Sequence, residues 1–160
     1  MDGLIQEDQF VGWVYQMDYE QALILTCDDW KLRARGVPLH CFLVAAVGSK
    51  KTEPPREILL LRVTGAAALP QDGEAARAKI ESCQGRAADQ ARDDAKDEFQ
   101  YGGLKCRVLG TFYERDGRLR LGSDIESYDS AAQLAVYRPI GAALEKIVNH
   151  TSPERAIAAE

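Results

Sequence analysis

The chain has 160 residues and a formal net charge of −5, with 46% hydrophobic and 28% charged residues. This composition is typical of one soluble domain with a core of its own, and the lack of an apolar run of roughly 20 residues, together with an acidic first segment, predicts a cytoplasmic protein without a membrane span. The acidic net charge argues against a general DNA-binding surface, because phosphates are bound mostly by Lys and Arg.

The first 65 residues predict four strands. Aromatic and β-branched residues alternate over 10–15, where Gly12 indicates a bulge or a tight barrel corner. The fourth strand is almost continuously apolar, so we expect it to be buried on both faces and covered on its outer side. The four predicted strands span residues 10–15, 21–27, 39–47 and 57–64.

Residues 72–100 differ in character, being rich in Ala and in charged residues. A thin apolar stripe repeats at three and four residues, which predicts one or two helices packed on the outside of the sheet. A polar excursion without such packing is the alternative, because the stripe is mostly alanine. Its members are Ile80, Cys83, Ala87, Ala91 and Ala95.

Strand patterns return after residue 100. The pair Asp116-Gly117 separates two strand-like runs, which is a strong hairpin signal. A last short strand covers 134–137, and Pro139 precedes a helix predicted over 140–149. The expected apolar face of that helix holds Ile140, Leu144, Ile147 and Val148, and the alternating apolar positions of the strand before the hairpin are Leu104, Cys106, Val108 and Phe112.

Six to seven short strands, one helical insertion at about 72–100 and a C-terminal helix predict a mainly β fold over residues 1–150. A small closed or nearly closed barrel is the expected architecture, because closure removes exposed strand edges.

The motifs of enzymes are missing from this sequence. Neither GxxxxGK[ST] nor GxGxxG occurs, so no phosphate loop is predicted. His40 and His150 are the only histidines, and His40 is placed beside Cys41 on a strand, where neighbouring side chains point apart. We therefore predict no catalytic, cofactor-binding or metal-binding residue and no enzyme activity. The cysteines form no CxxC pair and are read as reduced core residues: Cys27, Cys41, Cys83 and Cys106.

Two groups of residues are candidates for a protein interface. Asp28 and Asp29 precede Trp30 in a predicted loop, where the Trp either anchors a partner or folds over a barrel end. Asp124 and Glu126 lie between two predicted turns. They are either rim residues that meet a basic partner or turn acids that cap backbone amides.

Three segments resemble the N-terminal barrel of HerA-like ATPases, the HAS-barrel, in the same order. The likeness covers the last third of the chain well, residues 10–64 more loosely and residues 72–100 barely. The segments are 101–113 (YGGLKCRVLGTFY), 118–128 (RLRLGSDIESY) and 136–141 (VYRPIG).

The resemblance implies a hexameric ring ATPase of the HerA/FtsK type, a DNA translocase or helicase, with closer likeness to its antiviral-defence branch. In such proteins the barrel supports ring assembly and docks a nuclease or another effector. ATP, Mg²⁺ and DNA are then expected in a P-loop motor domain that is not part of this chain, with residues 151–160 as the linker towards it.

A stand-alone OB- or SH3-like barrel that binds nucleic acid is the alternative function. It requires a basic groove with stacking aromatic residues. Four arginines are candidates for that groove: Arg107, Arg115, Arg118 and Arg120.

Overall fold

A computed structural model describes residues 3–47, 55, 57–69, 101–115, 117–122 and 134–150. Within these ranges the chain forms seven strands, two short α-helices and one turn of 3-10 helix at Glu7–Gln9. In chain order the elements are β1 (Phe10–Met17), β2 (Gln21–Cys27), α1 (Asp28–Arg33), β3 (Phe42–Val47), β4 (Glu57–Ala67), β5 (Tyr101–Arg115), β6 (Arg118–Gly122), β7 (Leu134–Tyr137) and α2 (Ala142–Val148).

Six strands close into an antiparallel barrel in the order β1-β2-β5-β4-β3-β7, with β7 returning to β1. The predicted mainly β fold and closed barrel are therefore confirmed. The closing strand is β5, whose 15 residues pair with β2 through Tyr101–Arg107 and with β4 along most of their length. The seventh strand, β6, lies outside the barrel and pairs with the last five residues of β5.

The barrel has two ends, which we name after the elements that mark them. At the α1 end, β2 leads into α1 and β7 finishes beside the start of β1. At the hairpin end lie the β1–β2 turn and the β5–β6 hairpin, in which Arg115 is opposite Arg118. The hairpin predicted at Asp116-Gly117 is thus confirmed, and Gly117 has the positive φ (70°) that such turns require.

Gly12 lies at a bulge in β1, as predicted from the sequence. Phe10 pairs with Tyr137 and Gly12 with Val136, so the register shifts between them. Gly12 has a φ of 159°, and a Cβ at this position would collide with the carbonyl oxygen of Leu25 on β2. Only glycine allows the two strands to approach this closely.

The barrel interior is filled by side chains from all six strands. Small and medium residues predominate, because a six-stranded barrel encloses little space. Cys106 is completely buried there. The buried members of this inner cluster are Val11, Val14, Ala22, Ile24, Ala34, Leu43, Ala45, Leu59, Leu61, Val63, Cys106, Leu134 and Val136.

A second apolar cluster lies on the outside of β7, β3, β4 and the end of β5. Leu59 and Leu61 of β4 face the interior, whereas Ile58 and Leu60 face this outer cluster. The expectation that β4 is buried on both faces is confirmed. The covering residues come from both termini of the described chain, and include Leu4 and Ile147.

Phe112 belongs to the outer cluster, although strict alternation from Cys106 and Val108 predicts an inward position. The register of β4 and β5 shifts between the pairs Leu61–Val108 and Leu60–Gly110, which leaves Leu109 as an extra residue. This bulge inverts the two faces of β5, so the predicted face of Phe112 was wrong.

Helix α2 is shorter than predicted. It begins after Gly141 and ends at Val148, and its buried residues are Ala143 and Ile147. Val148 is 61% exposed, so its placement on the apolar face was wrong. A helix of two turns buries a narrower face than the ten-residue helix that the sequence suggested.

The predicted helical insertion at about 72–100 and the linker at 151–160 lie outside the described residues. In the part of the chain that the structure describes, no helix has the length and apolarity required to cross a membrane.

Candidate interaction surfaces

Asp28, Asp29 and Trp30 lie in helix α1, not in a loop as predicted. The two acids occupy the first turn, where carboxylates interact favourably with the helix dipole. Lys31 reaches back to Asp28, with 2.7 Å between its Nζ and the Asp28 Oδ1. The helix has only six residues, too few for a helical repeat of apolar positions to be visible, which is why the sequence suggested a loop.

Arg138 secures the C-terminal end of α1 from a position more than 100 residues away in sequence. Its Nη1 approaches the carbonyl oxygens of Ala34, Arg35 and Gly36 at 2.9, 2.9 and 2.8 Å. Arg35 and Gly36 have positive φ angles of 59° and 89°, so the chain turns sharply after α1, where these carbonyls meet the guanidinium. A cation at this position satisfies carbonyl groups that a helix end leaves unpaired. We call this arrangement the Arg138 clasp.

An aromatic cluster surrounds Phe10 at the α1 end. Its ring packs edge-to-face against Trp30, Trp13 and Tyr137, with ring centroids 5.1, 5.6 and 5.7 Å away. Trp30 also packs against Tyr101, at 6.2 Å. Trp30 is half-buried. It therefore follows the second of its two predicted alternatives, a Trp folded over a barrel end.

Other residues of this end are exposed to solvent. Trp13 is 39% exposed, Tyr101 51% and Leu32 of α1 79%. Asp28 and Asp29 lie exposed on the same helix as Trp30. The structure therefore brings together the three interface candidates of this region with apolar surface that the sequence did not single out.

Tyr101 is brought to the aromatic cluster by the pairing of β5 with β2. Tyr101 is opposite Cys27, the last residue of β2, so it lies next to the start of α1. This juxtaposition depends on the β2–β5 register, which residues far apart in sequence determine. No local pattern in the sequence points to it.

Burial at the α1 end changes the pKa of two groups. Burial raises the pKa of Tyr137, and the negative charge of Glu7 raises it further. Burial also raises the pKa of the Cys41 thiol, against a smaller lowering by the Arg138 charge. Deeper in the barrel, burial raises the pKa of Cys106 to about 12. Cys27, Cys41 and Cys106 are free thiols, and Cys83 lies outside the described residues.

His40 precedes β3 in a turn and is exposed, with a φ of 68°. Its predicted position on a strand was wrong, because the backbone reverses between Pro38 and Cys41 before β3 begins. Among the described residues no group of three or more His, Cys, Asp or Glu side chains is close enough together to hold a metal ion.

At the hairpin end, three of the four candidate arginines lie on one face of the β5–β6 ribbon. Arg115 is opposite Arg118, and Arg120 is opposite Tyr113. Residues directly opposite in antiparallel strands project on the same face, and so do residues two apart along a strand. We call Tyr113, Arg115, Arg118 and Arg120 the hairpin face.

Arg107 is not part of the hairpin face. It is eight positions before Arg115 on β5, beyond the bulge, and it is opposite Arg62 of β4. The prediction of a single groove formed by four arginines was therefore wrong, because β5 is long enough to carry them to different parts of the barrel. Asp124 and Glu126, the predicted rim acids, lie outside the described residues.

No protein-family model matches the chain, and no curated protein matches it.

Proposed function

We propose that the chain is the N-terminal assembly and partner-docking barrel of a HerA-like ATP-dependent DNA translocase. In this role it acts in the cytoplasm, supports a hexameric ring of the full-length protein, and binds a nuclease or another effector. Support comes from the resemblance of residues 101–113, 118–128 and 136–141. The described parts of these segments supply β5, β6 and β7, together with the residues that follow β7.

The exposed aromatic cluster is the observation that carries the docking role. Protein interfaces are built around aromatic anchors in an apolar centre with a polar rim. Trp13, Tyr101 and Leu32 are exposed, and Asp28 and Asp29 are exposed beside them. Because Phe10 and Trp30 hold the ring of Trp13 and that of Tyr101 in place, binding requires little ordering of these side chains.

The Arg138 clasp adds to this argument. Arg138 belongs to the resembling segment 136–141, and its guanidinium positions α1, which carries Trp30 and the two acids. The same segment continues into Ile140, whose backbone N–H donates to the Gln6 side chain at 3.0 Å. One short segment therefore connects α1 to the residues that follow β7.

The proposal gives this chain no catalytic residue. ATP hydrolysis, Mg²⁺ binding and DNA movement belong to the expected P-loop domain. A stand-alone OB- or SH3-like barrel is the weaker candidate, because Arg107 is separated from the other three arginines.

Light-scattering mass over a concentration series tests the assembly role. We expect the native chain to form rings as its concentration rises, and W13A/Y101A to remain monomeric. The control is Y19A, which removes a ring that is 68% exposed at the opposite end of the barrel. Equal assembly by W13A/Y101A and by Y19A would show that the aromatic cluster is not the contact.

Site-specific cross-linking tests the docking role in cells. A photoreactive residue replaces Tyr101 in one variant and Tyr19 in the control. We expect the Tyr101 position to cross-link a nuclease or another copy of this chain, and the Tyr19 position to cross-link neither. Identical products from both positions would contradict the proposal.

A further inference from the structure

The hairpin face concentrates positive charge at one end of an acidic chain. The side chains of Arg115 and Arg118 are directly opposite each other and exposed, and Arg120 follows two residues after Arg118 on the same face. The ring of Tyr113 lies beside Arg120. Because β4 is paired with β5 only as far as Tyr113, the last residue pair of the hairpin, Arg115 and Arg118, extends beyond β4.

Little internal charge neutralises the hairpin face within the described residues. No carboxylate there is paired with Arg115, Arg118 or Arg120, and the Nε of Arg120 is buried without a hydrogen-bond partner. The acid on this face is Glu57, which is opposite Tyr113 on β4. Arg115 and Arg118 are exposed, so their guanidinium groups are accessible to a ligand from solvent.

We propose that the hairpin face binds the phosphate backbone of single-stranded nucleic acid. The guanidinium groups contact successive phosphates, and the Tyr113 ring stacks on a base. This contact goes beyond the proposed docking role, which assigns no nucleic acid to the barrel itself, and it does not rest on that role.

The spacing of the arginines fits a nucleic acid backbone, and the neighbouring Tyr113 favours this ligand over an acidic protein segment. Arg118 and Arg120 are separated by two residues of extended strand, about 7 Å, and a nucleic acid backbone presents negative charge at regular intervals of similar size. Guanidinium groups bind phosphate oxygens bidentately. An aromatic ring beside basic residues is the usual composition of single-strand sites.

Fluorescence anisotropy with a labelled oligo(dT) of about 20 nucleotides tests this proposal on the 160-residue chain. We expect R115Q/R118Q to weaken binding at least about tenfold at low salt. The slope of log K against log salt should fall in magnitude by about 1.4, because two single-strand phosphate contacts are lost.

The matched control is R62Q/R107Q, which removes two opposite, exposed arginines from the barrel wall. It produces the same change in net charge, and we expect less than about a twofold effect on binding. R115K/R118K keeps the charge while losing bidentate geometry, so it should bind with intermediate affinity. An equal loss in R115Q/R118Q and R62Q/R107Q would overturn the proposal, as would undetectable binding by the native chain.

The role of Tyr113 is tested separately. Y113L should weaken binding of oligo(dT) at least about fivefold and leave binding of a duplex of the same length unchanged. A polyglutamate peptide that displaces oligo(dT) at equal charge concentration would overturn the proposal in favour of an acidic protein ligand. Light scattering on the same variants should show unchanged assembly, so failure here is distinguishable from failure of the docking role.

Discussion

At the α1 end of the barrel, five aromatic rings and one guanidinium pack around a short helix, whereas at the hairpin end the β5–β6 hairpin carries three arginines on one face. The contacts of the α1 end are long-range: Arg138 reaches Ala34, Arg35 and Gly36 across more than 100 residues. The hairpin is local, since Arg115 and Arg118 are separated by a two-residue turn.

The two ends therefore differ in how far their stability depends on contacts between distant residues. An end built from distant residues forms only when the whole barrel closes, so its surface is rigid and sensitive to substitution. The tip of the hairpin depends on fewer long-range contacts, so its exposed side chains can change at less cost in stability. We therefore expect a preorganised protein-docking surface at the α1 end and an adaptable, charge-based surface at the hairpin end.

Alkaline pH should produce the largest effect and should act mainly on the barrel interior. Cys106 binds its proton more tightly in the fold, so its contribution to stability is complete below the usual pKa of 9.0 and is lost as pH rises towards about 12. The raised pKa values of Cys41 and Tyr137 act in the same direction. The loss from Cys106 approaches about 1.4 kcal/mol per pH unit within that window.

Urea unfolding from about pH 8 to about pH 11 measures this loss of stability. C106A lacks the ionising thiol, so its free energy of unfolding should decline less steeply with pH. Parallel pH profiles for C106A and the native chain would show that Cys106 does not cause the decline.

Removing the central aromatic ring of the α1 end should lower the free energy of unfolding more than removing an aromatic ring at the hairpin end. F10A deletes the ring that contacts Trp13, Trp30 and Tyr137, and should lower the free energy of unfolding by about 3 kcal/mol. Y113A at the hairpin end is the comparison, with an expected loss of about 1 kcal/mol. Denaturant unfolding of both variants decides the matter, and equal losses would contradict the contrast.

The Arg138 clasp should contribute a smaller amount. R138M keeps the aliphatic length but leaves the carbonyls of Ala34, Arg35 and Gly36 without their donor, at a cost of about 2 kcal/mol. R138K keeps the positive charge and should fall between R138M and the native chain.

Amide hydrogen exchange locates the effect of R138M. We expect faster exchange in α1 and unchanged exchange in the β5–β6 hairpin. Faster exchange at both ends would mean that the clasp stabilises the whole barrel instead of one end.

The smallest effect is expected in the β1–β2 turn at the hairpin end. The Asp18 carboxylate accepts from the backbone N–H groups of Glu20 and Gln21 at 2.8 and 2.7 Å. D18A should lower the free energy of unfolding by about 1 kcal/mol, and D18N should recover most of it because its amide oxygen remains an acceptor. A loss in D18A comparable to that of F10A would contradict the view that this end is energetically local.

Local patterns in the sequence predicted much of the fold. The Asp116-Gly117 hairpin, the bulge at Gly12 and the double burial of β4 follow from turn chemistry, glycine and a continuous apolar run. Phe112 was assigned to the wrong face because the bulge at Leu109 is caused by pairing with β4, which the sequence of β5 does not encode alone.

The candidate site was predicted only in part. Trp30 and its acids were singled out, but their neighbours Trp13 and Tyr101 and the Arg138 clasp depend on contacts between distant strands. The arginines were recognised as a group, yet strand length separated Arg107 from the rest. Residue type indicates chemistry, whereas only barrel closure decides which residues meet.

The pairing of β4 with β5 has a practical consequence. Ala67, the last residue of β4, is opposite Gly103 near the start of β5, so the chain leaves and re-enters the sheet at neighbouring positions. Neighbouring antiparallel strands need only a few residues to connect them. This point is therefore a natural place for grafting a foreign domain, and because Tyr101 lies there, the graft would be held next to the aromatic cluster.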